Sequence, residues 1–322
     1  MAIRVLTPQA IQPEGEAYLK QRGYEVVMGS GVTEEAIIND LAFCEAMIVR
    51  TAKITKKILA AAPHLKVIAR HGAGYDNIDI KAAQEHNILV LNSGGANAVS
   101  VAEVAIFYML CCARNFKAVQ ARYIEDYKYA KRKIPQTELS GKVLGLIGIG
   151  NIGKLVAKKA ALGFDMKVIA YDPFFRGEAP DYLELIPNRK DVFARSDYVS
   201  LHVPATKDTI RSVGEKEFEL MKPTAFLINT SRWSIVDEPA LIAALKNKEI
   251  AGAGLDVLAQ EPLDPKNELL YMENVVSAPH IGGMTAEAAT RSSIECAEGV
   301  CDFFAGQTPK HIIPEMRGWF MK

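Results

Sequence analysis

A chain of 322 residues exceeds what a single hydrophobic core usually serves, so two domains are expected. At 49% hydrophobic and 24% charged residues, its composition is that of an ordinary soluble globular protein. Lysine plus arginine equals aspartate plus glutamate at 38 each, which leaves no net field to attract nucleic acid or an anionic membrane.

From Met1 the chain runs straight into a strand, with no signal-peptide architecture ahead of it. Short β-rich runs then alternate with helical patterns, at Ile3–Leu6, Glu25–Val27, Ala46–Val49, Lys66–Ala69 and Ile88–Leu91. This alternation predicts a small doubly wound α/β domain with a parallel sheet. Ser100 opens a long apolar-faced helix to about Arg114, with Glu103 as capping-box partner. The longest uncharged apolar run, Val104 to Ala113, has about half the length of a bilayer span. The segment 117–141 is rich in tyrosine and mixed charge with weak apolar periodicity, and is expected to be an exposed arm or partner surface. A second series of strands follows at Val143–Ile147, Lys167–Tyr171, Tyr198–Leu201, Ala225–Asn229, Ala251–Leu255 and Val275–Ser277. A final helix is expected from about Ala286 to Phe304. Cys44, Cys111, Cys112, Cys296 and Cys301 are odd in number and lack Cys-x-x-Cys spacing. They are expected to be buried thiols of a reducing, cytoplasmic compartment, forming neither disulfides nor a metal site.

The strand at Val143 flows into Gly148-Ile149-Gly150-Asn151-Ile152-Gly153 and then into a helical pattern. In that setting Gly148 serves a tight turn, Gly150 a close backbone approach to pyrophosphate, and Gly153 close helix–strand packing. Asp172 ends the next strand nineteen positions after Gly153. An acid at that distance accepts the ribose hydroxyls of NAD and repels the 2′-phosphate of NADP, whatever nearby Arg176 suggests. Ligands of open α/β sheets sit beyond the carboxyl ends of the strands. Arg232, Glu261 and His280 each follow a strand of the second series, so strand order alone brings them to one rim. There the three are candidates for proton transfer and substrate polarisation.

The chain resembles the D-isomer-specific 2-hydroxyacid dehydrogenase family, and its phosphoglycerate-dehydrogenase-like members, over almost its whole length. The likeness is carried by Arg70-His71-Gly72-Ala73-Gly74-Tyr75-Asp76-Asn77-Ile78-Asp79, Ser100-Val101-Ala102-Glu103 and the glycine turn. It continues through Leu201-His202-Val203-Pro204, Ile228-Asn229-Thr230-Ser231-Arg232, Leu255-Asp256-Val257, Glu261-Pro262 and Pro279-His280-Ile281-Gly282-Gly283. The resemblance implies a flavodoxin-like substrate domain from residues 1–98 plus 287–322, and a Rossmann NAD-binding domain at 99–286. It further implies a cleft closing about hinges near Asn97 and Ala286, and a homodimer using the arm at 117–141.

For the roles, the resemblance implies His280 as general acid, Glu261 as the partner of its far ring nitrogen, and Arg232 as the carboxylate and carbonyl ligand. The backbone amides of Ala73 and Gly74 would hold the substrate carboxylate. Asn151 and Ile152 are assigned to the pyrophosphate and Asp172 to the ribose. His202, Val203 and Pro204 fall beside the adenosine, and Thr230, Asp256, Gly282 and Gly283 near the nicotinamide, with Ser231 also assigned to the cofactor. Arg50 matches an arginine that contacts the distal acidic group in phosphoglycerate-type members, though a solvated strand-end arginine accounts for it equally. The expected substrate is therefore a small 2-oxo or D-2-hydroxy acid of the 3-phosphoglycerate or hydroxypyruvate/glyoxylate type.

The chain departs from the family in placing Trp233 where a glycine usually follows the arginine. Trp233 either walls the substrate pocket or packs away and shifts the backbone. The chain also stops near residue 322, short of the regulatory domain of some phosphoglycerate dehydrogenases, so feedback control of that kind is not expected. Formate-type relatives carry glutamine at the Glu261 position. An NADH-sensing protein of corepressor type would retain the same Arg, Glu and His, and stands as the alternative.

Overall fold

The computed structural model describes residues 2–259 and 264–320. They form two compact units, Met1–Asn97 with Gly283–Lys322, and Ala98–Gly282. In the first unit β1 (Arg4–Thr7), β2 (Glu25–Met28), β3 (Ala46–Val49), β4 (Val67–Arg70) and β5 (Leu89–Asn92) make a parallel sheet of order β2-β1-β3-β4-β5. That is the flavodoxin-like doubly wound order. Its core joins these strands to the inner face of the helix Ala286–Phe304, through Cys296, Ala297 and Val300.

The second unit is a seven-stranded parallel sheet of order β12-β11-β10-β9-β6-β7-β8. Its strands are β6 (Val143–Ile147), β7 (Lys167–Tyr171), β8 (Leu183–Leu185), β9 (Tyr198–Leu201), β10 (Phe226–Asn229), β11 (Gly252–Leu255) and β12 (Val275–Ser277). β9 and β11 are buried along their whole length. Helices cover both faces of such a sheet, so its central strands read as continuous apolar runs and not as alternating ones.

One local expectation is corrected, and two further segments show structure that the pattern did not give. The long helix begins at Ala98, so Ser100 lies inside its first turn, buried, and cannot be its N-cap. Glu103 instead pairs with Lys159 Nζ at 3.1 Å. Segment 117–141, exposed as expected, contains the short helices Phe116–Tyr123 and Tyr127–Arg132. The first is tethered by Lys117, whose Nζ donates to the carbonyl oxygens of Leu270, Met272 and Val275 at 2.7, 2.8 and 3.0 Å. Finally, the tail forms a helix, Pro314–Phe320, which buries Met316.

No single described helix is long and apolar enough to cross a membrane. The helices Ala98–Ala113 and Phe116–Tyr123 pass on length and composition only as a pair, bent by 57°. Eleven of the sixteen residues of the first are buried, seven of them within one hydrophobic cluster of the second unit.

Candidate active site

Register levels the carboxyl ends of the second sheet. Ile147 pairs with Tyr171 and Leu201, Asn229 with Leu201 and Leu255, and Leu255 with Ser277. The residues that follow, Gly148, Asp172, His202, Thr230, Asp256 and Ala278, therefore form one row. β7 and β8 lie on one side of β6 and the later strands on the other, which makes the β6–β9 boundary a switch point.

Gly148 occupies that point with φ +92°. A Cβ there would lie 2.7 Å from the His202 carbonyl oxygen, so conformation and space both demand glycine. At Gly153 a Cβ would come within 2.3 Å of the Gly148 carbonyl oxygen, and its absence seats the helix Asn151–Phe164 on the turn. Gly150, the N-cap of that helix, faces open space and offers no side-chain cap. The first-turn amides and the helix dipole together form an anion site that fits a pyrophosphate. Asp172 binds back to the same turn: Oδ2 accepts from Ile149 N and Oδ1 from Phe174 N, each at 2.9 Å.

His202 turns its ring inward. Its Nε2 lies 2.9 Å from Ser200 Oγ, while Nδ1 is buried without a hydrogen-bond partner. Burial pushes its pKa down to about 4, so the ring is neutral at ordinary pH. Val203 and Pro204 continue from it along the rim.

After β10 the turn Thr230–Arg232 is shaped by Asn229, a residue the motif reading quoted but gave no role. The Asn229 Oδ1 accepts from Ser231 N at 3.0 Å and Ser231 Oγ at 2.8 Å, and its Nδ2 donates to Arg232 O at 3.0 Å. Asn229 is buried, and its amide substitutes for backbone pairing where the strand stops. Arg232 Nη1 donates to Ser231 O at 2.8 Å. Thr230 Oγ1 is buried without a partner, leaving a hydroxyl free to meet a ligand amide or hydroxyl. Trp233 heads the 3-10 turn Trp233–Ile235 and is 43% exposed, so it is not packed into the core.

Beyond β11 and β12, Asp256 receives the turn that carries His280. Its Oδ1 accepts from Ile281 N at 3.1 Å and its Oδ2 from Gly282 N at 2.8 Å, while its carbonyl oxygen accepts from His280 N at 2.8 Å. His280 is exposed, with φ +55°. Glu261 lies outside the described residues. Flanking it, Ala259 N and Asn267 Nδ2 donate to the two carboxylate oxygens of Glu238, at 3.0 and 2.8 Å.

In the first unit, Val49 pairs with Arg70 and Arg70 with Asn92, so the loops after β3, β4 and β5 begin level. Arg50 Nη1 donates to Ala10 O at 3.1 Å. The loop holding Ala73 and Gly74 is anchored by Asn92 Nδ2, which donates to Ala73 O at 2.8 Å, and by Ser93 N, which donates to Gly72 O at 3.2 Å. Behind it His71 Nε2 contacts Ser293 Oγ at 2.9 Å and Ala289 O at 3.1 Å. Burial, reinforced by the Arg50 charge, pushes the His71 pKa down to about 4. Gly283, assigned with Gly282 to the cofactor, packs against Asn97: a Cβ there would lie 2.8 Å from Asn97 Nδ2.

Residues 106–282 match the family model described as D-isomer specific 2-hydroxyacid dehydrogenase, NAD binding domain. The D-3-phosphoglycerate dehydrogenase of Archaeoglobus fulgidus is 38% identical over 306 residues, covering 94% of this chain and 58% of that protein. The first curated relatives are thus considerably longer than this chain. The hydroxypyruvate reductase of Thermotoga maritima is 38% identical over 302 residues, 92% of this chain and 97% of that one. Among solved structures, NAD+-bound 3-phosphoglycerate dehydrogenase of Entamoeba histolytica superposes with a TM-score of 0.83 at 28% identity, covering 97% of this chain and 99% of that one.

Proposed function

The chain belongs to the D-isomer-specific 2-hydroxyacid dehydrogenase family, and on that footing we propose that it is an NAD-dependent oxidoreductase interconverting a small 2-oxoacid and its D-2-hydroxyacid. One observation carries the reading. A single level sheet edge presents an open, uncapped helix start beside Asp172, an arginine after β10 and a histidine after β12.

On this reading, Gly148, Gly150, Asn151, Ile152 and Gly153 receive the pyrophosphate. Asp172 takes the ribose and selects NAD. Val203 and Pro204 flank the adenosine; His202 contributes its backbone, since its ring faces inward. Thr230, Ser231, Asp256, Gly282 and Gly283 surround the nicotinamide. When bound, NADH supplies the hydride that reaches the 2-oxo carbon. His280 donates the proton to the carbonyl oxygen as negative charge develops there. Arg232 grips the carboxylate and polarises the carbonyl with its planar fork. Glu261 accepts from the far nitrogen of His280 and stabilises the imidazolium. Ala73, Gly74 and Arg50 are the substrate groups proposed from the first unit, and Trp233, exposed beside Arg232, limits substrate bulk.

The same reading makes the protein a cytoplasmic homodimer. Its five cysteines are free and buried, as suits a reducing compartment. Phe107 at 55%, Ile124 at 81% and Tyr127 at 62% are exposed apolar groups that a second copy would cover. A 2-oxoacid of the hydroxypyruvate, glyoxylate or 3-phosphohydroxypyruvate type is favoured; the curated relatives named above are a D-3-phosphoglycerate dehydrogenase and a hydroxypyruvate reductase. Because these relatives are named dehydrogenases and reductases, the NADH-sensing alternative is disfavoured.

The deciding experiment is NADH oxidation by purified protein against glyoxylate, hydroxypyruvate, pyruvate, phenylpyruvate and 3-phosphohydroxypyruvate, with His280→Ala alongside. Turnover of one acid, lowered about 10³-fold in the variant, is the expected result. Tight NADH binding with no acid reduced would overturn it.

A further inference from the structure

The turn that presents His280 is held in an unfavourable shape by a buried carboxylate, Asp256. His280 has φ +55°, a left-handed conformation that a side-chain-bearing residue adopts only when its surroundings impose it. Asp256 imposes it, accepting from the successive amides of His280, Ile281 and Gly282 through its carbonyl oxygen, Oδ1 and Oδ2. Asp256 is itself 1% exposed, so the side chain that receives this turn is buried.

Among the described residues, two of the three donors to the Asp256 carboxylate belong to the turn it holds. The third comes from elsewhere. Tyr108 Oη, on the helix Ala98–Ala113, donates to Asp256 Oδ1 at 3.2 Å across 148 positions of sequence. The ring is 1% exposed. Its approach depends on Gly254, two residues before Asp256 on the same face of β11, where a Cβ would lie 2.6 Å from Tyr108 Cβ. Burial and the Asp256 charge raise the Tyr108 pKa above its ordinary value, so the hydroxyl stays a donor. A turn fastened only to a carboxylate that could rotate with it would have no fixed reference; Tyr108 ties that carboxylate to the helix.

We propose that Tyr108 is a positioning residue for His280, acting through Asp256: it locks the carboxylate rotamer that holds the strained Pro279–Gly282 turn. The proposal rests on the reading of His280 as general acid. Tyr108 touches no reacting atom, so its effect reaches the chemistry only through the turn that carries His280.

Tyr108→Phe keeps the buried ring and removes only the hydroxyl. The expected result is a kcat about tenfold lower, the size of one lost hydrogen bond to a charged group. In the His280→Ala background the same substitution is expected to have no further effect on the residual rate, because residues acting as one unit are not additive. Wild-type kcat in Tyr108→Phe, or the same tenfold loss repeated in the double variant, would overturn the proposal. A second measurement is independent of turnover: the His280 imidazole resonance, assigned by its loss in His280→Ala, should move or broaden in Tyr108→Phe. If no 2-oxoacid is reduced by the wild type, the functional reading fails, and the resonance still decides. An unchanged resonance overturns the positioning role.

Discussion

At the scale of single residues, the site depends on buried amides and carboxylates that shape turns for exposed groups. Asn229 satisfies both sides of the Thr230–Arg232 turn, three hydrogen bonds from one side chain. Asn229→Ala leaves those groups unpaired at a buried position, and should lower kcat/KM about tenfold or more while NADH still binds. Steady-state kinetics beside a fluorescence titration with NADH separates the two. Trp233, at 43% exposure, presents its indole at the surface of its unit. Trp233→Gly is expected to broaden the range of 2-oxoacids turned over, and an unchanged substrate profile would leave the indole no part in specificity.

At the scale of elements, the β6–turn–helix unit has the least tolerance. A methyl group on Gly153 would press to 2.3 Å against the Gly148 carbonyl oxygen, a backbone atom that cannot swing away. Gly153→Ala should therefore cost about 1–3 kcal/mol of stability and weaken NADH binding, checked by denaturant unfolding with and without the cofactor. The exposed arm and the helix Ala98–Ala113 carry a test together. Phe107→Glu combined with Ile124→Glu places charge on an apolar surface, and should convert the proposed dimer to monomer in sedimentation. A species of unchanged mass would mean that another face assembles the protein.

For the molecule as a whole, buried histidines set the acid limit of stability. The pKa values of His71 and His202 are pushed down to about 4 by burial, from an ordinary 6.5. Below pH 6.5 the unfolded chain gains protons at these rings and the folded chain does not. Stability is therefore full above that pH and falls towards pH 4, by up to about 1.4 kcal/mol per unit for each ring. Urea unfolding at successive pH values should show this slope, and His202→Asn should flatten it.

Strand positions were legible because a parallel sheet buried on both faces demands short β-branched runs at intervals, and every expected strand lies within about a residue of an observed one. The glycine turn and the rim after each strand were readable for the same reason: in such a fold, chain order and edge position are linked. What stayed hidden was whatever depends on a partner distant in sequence. β8 is three residues long with one buried, too short for a periodicity to register. The arm is tethered through Lys117 to carbonyls more than 150 positions away, and Ser100 lost its capping role because the helix starts two residues earlier. The inward ring of His202, the Asn229 clasp and the Tyr108–Asp256 bond likewise follow from packing. Residue types in order thus specify the two parallel sheets, the glycine turn and the chemistry available at the edge, because these follow from local periodicity and backbone sterics. The orientation of His280, the rotamer of Asp256 and the burial that keeps His71 and His202 neutral arise only when distant segments exclude water from one another and share hydrogen bonds.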